Sequence, residues 1–350
     1  MITEFTRLFT TNGRVVFIFV FMFSKRFILL IILLLLSCIF LFLINLLTGF
    51  ENISLYDLFF TQEETKKLII SYRFNRTVAV VLAGISLPVS GFLLQELFKN
   101  PLAEPSVLGI TSASALAVAL LIFLGGGLFF LQYQWLEGWL LIISAFTGAL
   151  LTSLLLLFIS KEIKNISTFI IIGFLLSSFC GSLISTLQFY SQSESLKQYV
   201  YWSFGSFEGL SGNQISVFTI CTILGLLPAF MSVKKLIGYL MGEEYAKVLG
   251  VNMAKLKINI LIAVCLLTGS TTAMLGPIVF VGIIIPHFCR QIWNPSALWA
   301  QINLNILIGS GFMLLVSLIM SYTQLPVNIL SSLIGVPTIL FIILKDRFKN

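Results

Sequence analysis

The chain has 350 residues, of which 58% are hydrophobic and only 10% charged, and its mean hydropathy is +1.04. A soluble domain runs about half apolar and about a quarter charged, so a fold that keeps its whole surface in water is excluded. The net charge of +7 fits the gathering of Lys and Arg in cytoplasmic loops of membrane proteins, and no basic stripe interleaved with aromatics speaks for nucleic acid.

In chain order, Val15–Phe23 is too short for a bilayer that needs about 20 residues, and it reads as an interfacial helix within a cytoplasmic or interfacial segment 1–26. The 21-residue run Phe27–Leu47 is longer than a leader's apolar region and lacks a small-x-small site after it. It reads as a first span held by Lys25 and Arg26. Further apolar segments fall at 77–98, 106–124, 139–159, 166–190, 214–233, 256–275, 278–288, 302–322 and 327–344. The expected fold is therefore all-α: one integral-membrane domain over 1–350 with ten transmembrane helices and both termini cytoplasmic. With that orientation sixteen of the 21 Lys and Arg residues lie inside, as the positive-inside bias requires. The segment 278–288, between Pro277 and Pro286, is half the usual length. Its ends need partners that lipid cannot supply, which places it inside the bundle.

Small residues punctuate the spans at Ala83-Gly84, Ser90-Gly91, Gly148-Ala149, Ser177-Ser178 and Gly309-Ser310-Gly311. They permit close backbone approach where lipid supplies no hydrophobic drive.

Reactive constellations are missing. Cys38, Cys180, Cys221, Cys265 and Cys289 show no metal-ligand spacing and read as small apolar residues. His287 is the only histidine, so no metal site and no cofactor is expected. An ion-coupled carrier would place ionisable groups at mid-span, whereas Glu96 lies near a span's end, close to Lys99. The sequence has no GxxxxGK[ST] phosphate loop. The chain is therefore expected not to be an enzyme, and energy for uphill movement would come from another subunit.

The segment 234–255 offers a place for that subunit. Gly242 and Gly250 bracket two helical turns, Glu243-Glu244-Tyr245-Ala246-Lys247-Val248-Leu249, in which Tyr245, Val248 and Leu249 stand at i, i+3 and i+4 and form one apolar face. Such a helix can dock into a groove on a soluble partner, and pattern alone equally allows a solvated loop helix.

Gly242–Val251 resembles the coupling motif G-E-x-x-A-x-x-L-G-V of permeases in the iron-siderophore, haem and cobalamin ABC importer family. Other blocks match in the same order. They are Arg73-Phe74-Asn75-Arg76 (R-x-P-R in the family), Ser90-Gly91 through Gln95, Asn100-Pro101-Leu102-Ala103-Glu104-Pro105 with Leu108-Gly109, and Trp202 with Gly205-Ser206. Gly276-Pro277-Ile278-Val279-Phe280-Val281-Gly282 with Pro286-His287 and Arg290 comes next, then Leu325-Pro326-Val327 and Ile334-Gly335-Val336-Pro337. The resemblance implies a multi-pass protein of the bacterial inner membrane, paired with a second permease copy or a related one. Two ABC ATPase subunits would sit beneath it, and an extracytoplasmic solute-binding protein would deliver a ferric siderophore, with haem or cobalamin as the alternatives. It also implies roles. Arg73 and Arg76 would face outward and dock the binding protein; Gly242, Glu243, Glu244, Ala246, Leu249 and Gly250 would couple to the ATPase; Asn100, Pro101 and Leu102 would form the cytoplasmic mouth of the path. His287 would belong to a structural turn. Four positions depart from the family pattern: Asn75 for proline, Ser317 and Ser321 for Asp and Arg, and Gln324 for Glu.

Overall fold

The computed structural model describes residues 25–49, 51, 53–125, 134–162, 166–294 and 296–347. The interfacial helix expected at Val15–Phe23 lies outside them. Every described regular element is helical. In chain order they are α1 (Lys25–Leu47), α2 (Leu55–Phe60), α3 (Glu64–Phe98), a 3-10 turn (Pro105–Leu108), α4 (Ile110–Leu124), α5 (Gln134–Glu162), α6 (Ile166–Phe189) and α7 (Ser193–Ser203). Then come α8 (Gly212–Leu240), α9 (Glu243–Val248), α10 (Met253–Leu275), α11 (Val281–Ile292), α12 (Leu298–Thr323) and α13 (Val327–Arg347). Among the described residues seven of these, α1, α3, α5, α6, α8, α10 and α12, are long and apolar enough to cross a bilayer; α4 and α13 carry shorter apolar stretches.

Burial sorts the helices. The apolar windows of α3 and α10 are 83% and 78% buried, against 6% for α1 and 11% for α6. α3 is the axis of the bundle, packed on α12, α10, α11, α8 and α1. α4 packs on α5 and α6, and α10 on α5 and α8. Small residues set these distances. A Cβ on Gly84 would stand 2.6 Å from the Gly309 carbonyl oxygen of α12, and one on Gly91 would overlap the Gly282 carbonyl of α11. Hydroxyls add bonds between helices where lipid cannot compete: Thr268 donates to Ser90 (3.0 Å), and Ser177 of α6 to the Ser106 carbonyl (3.1 Å).

Several boundaries differ from expectation. α3 begins at Glu64 rather than 77, because Glu64, Lys66 and Lys67 are good helix formers that also pair along the helix, Lys67 with Glu64 at 3.2 Å and Lys66 with Glu63 at 3.5 Å. Asn75, where the family pattern has proline, keeps the amide donor that an unbroken helix requires. α8 continues through Lys234 and Lys235 to Leu240, so most of the loop expected at 234–255 is helix. Hydropathy reports lipid contact and misses such wet helical ends. It also misses the short helices α2 and α7, which are too small or too polar to register.

The half-length segment forms α11, with Val281 through Pro286 and Cys289 buried. It sits against α3, α12 and α13, inside the bundle as its length demands. Phe280, its N-cap, has no capping side chain and a left-handed backbone (φ 70°).

Candidate functional site

Three places carry polar or projecting groups. At the end of the bundle where α3 begins, a cavity of about 1000 Å³ is lined among others by Tyr72, Arg73, Arg76, Tyr201, Ser321 and Gln324. The two arginines, one turn apart on α3, share this cavity, yet they do not both reach outward. Arg73 is 5% exposed. Its Nη1 donates to the carbonyls of Leu46 (3.2 Å) and Leu47 (3.0 Å), and its Nη2 to that of Glu51 (2.7 Å). Leu46 and Leu47 close α1, whose last carbonyls have no partner within their own helix. Arg73 thus acts as a cationic cap of α1, a different use of its guanidinium from the docking contact expected of it. Arg76 is half-buried and donates through Nη2 to the Ser317 carbonyl (3.1 Å), the Ser317 hydroxyl (3.2 Å) and the Ser321 hydroxyl (2.7 Å) of α12. Two of the positions that depart from the family pattern therefore hold this arginine.

At the opposite end, α9 is short but tightly determined. Gly242 enters it at φ 118°, ψ 154°, backbone that only glycine adopts at ease, with open space where a Cβ would go. Gly250 leaves it at φ 77°. The amide of Gly250 donates to Lys247 (2.9 Å) and that of Val251 to Ala246 (2.9 Å), the paired bonds of a Schellman closure. Lys247 pairs with Glu244 at 2.8 Å and Glu243 at 3.5 Å. Ala246 is fully buried, whereas Tyr245, Val248 and Leu249 are 49%, 85% and 57% exposed. The apolar face legible in the sequence is therefore turned away from the bundle.

Between these ends lies a network that the sequence did not reveal. Glu104, in the connection between α3 and α4, is 6% exposed. It accepts from the Ser106 hydroxyl at 3.3 Å, and its carboxyl lies against Gly282 at the start of α11, facing the amides of Phe280 and Gly282. Desolvation pushes its carboxyl up to about 7, against these donors, which favour the charged form. Gln95 donates to the Gly282 carbonyl (3.0 Å) and accepts from Arg290 (2.6 Å), which also meets Glu96 at 2.9 Å. Glu96 thus pairs with Arg290 rather than with Lys99, whose Nζ stands over the Tyr239 ring, 4.5 Å from its centroid. Asn100 accepts the Leu102 amide at 3.0 Å, Pro101 and Leu102 are exposed, and Ala103 to Pro105 are buried. His287 lies 2.9 Å from Gln291 on α11. Among the described residues no cluster of His, Cys, Asp and Glu could hold a metal ion.

A bundle of membrane-spanning helices with an arginine-lined cavity at one end and a braced apolar helix projecting at the other has the form of a transport permease. The chain belongs to the FecCD transport family, whose model it matches over residues 27–345. Among curated relatives it is 32% identical over 287 residues to the uncharacterized ABC transporter permease protein YvrB of Bacillus subtilis, covering 80% of this chain and 79% of that one. It is 30% identical over 297 residues to the vitamin B12 import system permease protein BtuC of Yersinia pseudotuberculosis, covering 81% and 84%. Among solved structures it superposes with a TM-score of 0.74 on a metal-chelate type ABC transporter in an inward-facing conformation, at 27% identity over 90% of this chain and 99% of that one. PsaBC from Streptococcus pneumoniae, at 18% identity, 77% and 90% coverage and a TM-score of 0.51, shares the fold alone. The protein is a multi-pass ABC importer permease of the bacterial inner membrane, a class of subunit that leaves ATP hydrolysis to a separate one.

Proposed function

We propose that this permease forms the translocation path for a ferric siderophore, with ten membrane-crossing segments, cytoplasmic termini and a second permease copy or close relative completing the path. The single observation that carries the solute reading is the likeness, over 90% of the chain, to a transporter of metal-chelate type. The vitamin B12 permease relatives favour cobalamin as a second reading, and haem belongs to the same class of large, rigid metal chelates.

In this reading the exposed face of α9 in each permease copy, supported by Gly242, Glu243, Glu244, Ala246, Leu249 and Gly250, docks into a groove on one of two ABC ATPase subunits. The outer cavity receives the solute-binding protein. Arg76, whose bonds to the described residues leave from Nη2, offers its other donors to a carboxylate there, and Arg73 supports it by holding α1 in place. Asn100, Pro101 and Leu102 form the cytoplasmic mouth.

The experiment is uptake by cells that depend on this permease and its binding protein, given a ferric siderophore labelled with radioactive iron or cobalamin labelled with radioactive cobalt. Saturable iron uptake that cobalamin does not compete is the expected result. Uptake of cobalamin without ferric siderophore would overturn the first reading in favour of the second.

A further inference from the structure

The last residues of α3 and the turn after them touch both the element that leads into α9 and the half-helix α11. Tyr239 lies in the last turn of α8 and is 4% exposed, so its ring cannot swing aside. Its carbonyl accepts the amide of Gly242 at 3.1 Å, so only Leu240 and Met241 separate it from the residue that opens α9. Over that ring stands Lys99, whose own backbone is fixed in the left-handed region (φ 49°) with its amide on the Gln95 carbonyl. From Lys99 the chain is braced residue by residue. The Asn100 amide returns to Gln95 (3.2 Å), the Ala103 amide to Asn100 (3.1 Å), and the Leu102 amide to the Asn100 side chain (3.0 Å). The turn ends in Glu104, whose carboxyl packs against Gly282 and faces the Phe280 and Gly282 amides that open α11. Gln95 and Arg290 tie α11 to α3 at its start and near its end.

We propose that the turn Lys99–Glu104 is a rigid link that transmits displacement of α9 to α11, gripping Tyr239 through Lys99 at one end and the first amides of α11 through Glu104 at the other. The proposal rests on the coupling role given to α9 above. Lys99, Tyr239 and Glu104 are positioning residues: they touch neither nucleotide nor solute. A half-helix inside a bundle is the natural receiver, because its start is held by side chains from another segment instead of by its own preceding turn. Coupling through such a chain of contacts is established only when two of its members prove energetically dependent on one another. A cation over a tyrosine face is worth a factor of about 2 when exposed and about 30 when desolvated, enough to decide whether a displacement is followed or slips.

The test uses the whole complex, with its ATPase, in proteoliposomes. A single reporter cysteine is placed at Phe288, half-exposed on α11, after the five native cysteines are replaced. The readout is its rate of labelling by a maleimide without nucleotide and with MgATP and vanadate; co-purification of the ATPase checks assembly. In the parent, nucleotide is expected to change the rate at least five-fold. Lys99→Gln and Tyr239→Leu should each reduce the change to less than two-fold, and the double variant should be no worse than either. Lys99→Arg and Tyr239→Phe, which keep cation and ring, should retain it, and Glu104→Gln, with one acceptor left, should retain more of it than Glu104→Ala. A merely structural role would lower thermal stability and leave the nucleotide-dependent change as it was. A full five-fold response in Lys99→Gln, an exposed substitution that does not threaten folding, overturns the link. Loss in Tyr239→Phe equal to that in Tyr239→Leu overturns it as well, because the ring face would then not be what matters. A parent response that persists in Leu249→Asp would instead overturn the coupling role of α9, and the link with it.

Discussion

Replacing Arg73 by alanine tests whether this cation holds α1 or greets a partner. The substitution removes three hydrogen bonds from one guanidinium, to Leu46, Leu47 and Glu51. The Leu46 bond is fully buried and the other two are partly so, so water reaches two of the three abandoned carbonyls. A buried acceptor left unpaired costs about 1–3 kcal/mol and a wetted one much less, which sets the loss at about 2–4 kcal/mol. At about 1.4 °C per kcal/mol for a chain this long, the melting temperature should fall by about 3–5 °C. Lysine carries one ammonium where the guanidinium uses two nitrogens, so Arg73→Lys should lose about half as much. The assay is thermal unfolding of the detergent-purified permease followed with a thiol-reactive dye, to which Cys180, Cys265 and Cys289, buried in the fold, become available on melting. Binding-protein affinity is measured on the same samples below their melting range. An Arg73→Ala protein that melts with the parent and has lost its binding protein would refute the cap and restore the outward role.

Two further outcomes follow from the exposed surfaces. Leu249→Asp, at a position 57% exposed, should leave membrane insertion unchanged and weaken association with the ATPase about 100-fold. A charge desolvated without a partner costs about 3 kcal/mol or more, and each 1.4 kcal/mol is about ten-fold; unchanged affinity in a pull-down titration would remove α9 from the contact. For orientation, single cysteines at Gln192 and Tyr322 should react with an impermeant thiol reagent in intact cells, and one at Val248 only after lysis. Equal labelling at all three would reverse or abolish the proposed topology.

The parts of the fold legible in the sequence are those where lipid imposes composition. Hydropathy located a helix at each expected apolar segment, and the short run between Pro277 and Pro286 announced a buried half-helix by length alone. The apolar face of α9 was legible because three residues at helical spacing suffice to define it. What escaped is what depends on two distant segments at once. Glu104 sits in a run that reads as a turn, and its partners belong to another part of the chain. Arg73 reads as half of an exposed pair until the open end of α1 is beside it. Both had a faint signal. α1 ends with no basic residue in its last turn, and α11 starts on Phe280 with no Ser, Thr, Asp or Asn to cap it, so each terminus had to borrow its partner.

The glycine contacts along α3 have a kinematic consequence. Gly84 and Gly91 are seven residues apart, so they lie on nearly one side of the helix with about 10.5 Å between them along the axis. One bears on the backbone of α12 at Gly309 and the other on that of α11 at Gly282, and α11 and α12 are themselves in contact. Backbone resting on backbone has no rotamers with which to yield, so sliding at either point is blocked by atoms that cannot move aside. Two such bearings therefore fix how closely α3 approaches α11 and α12, and a side chain larger than hydrogen at Gly84 or Gly91 would have to push a whole backbone aside.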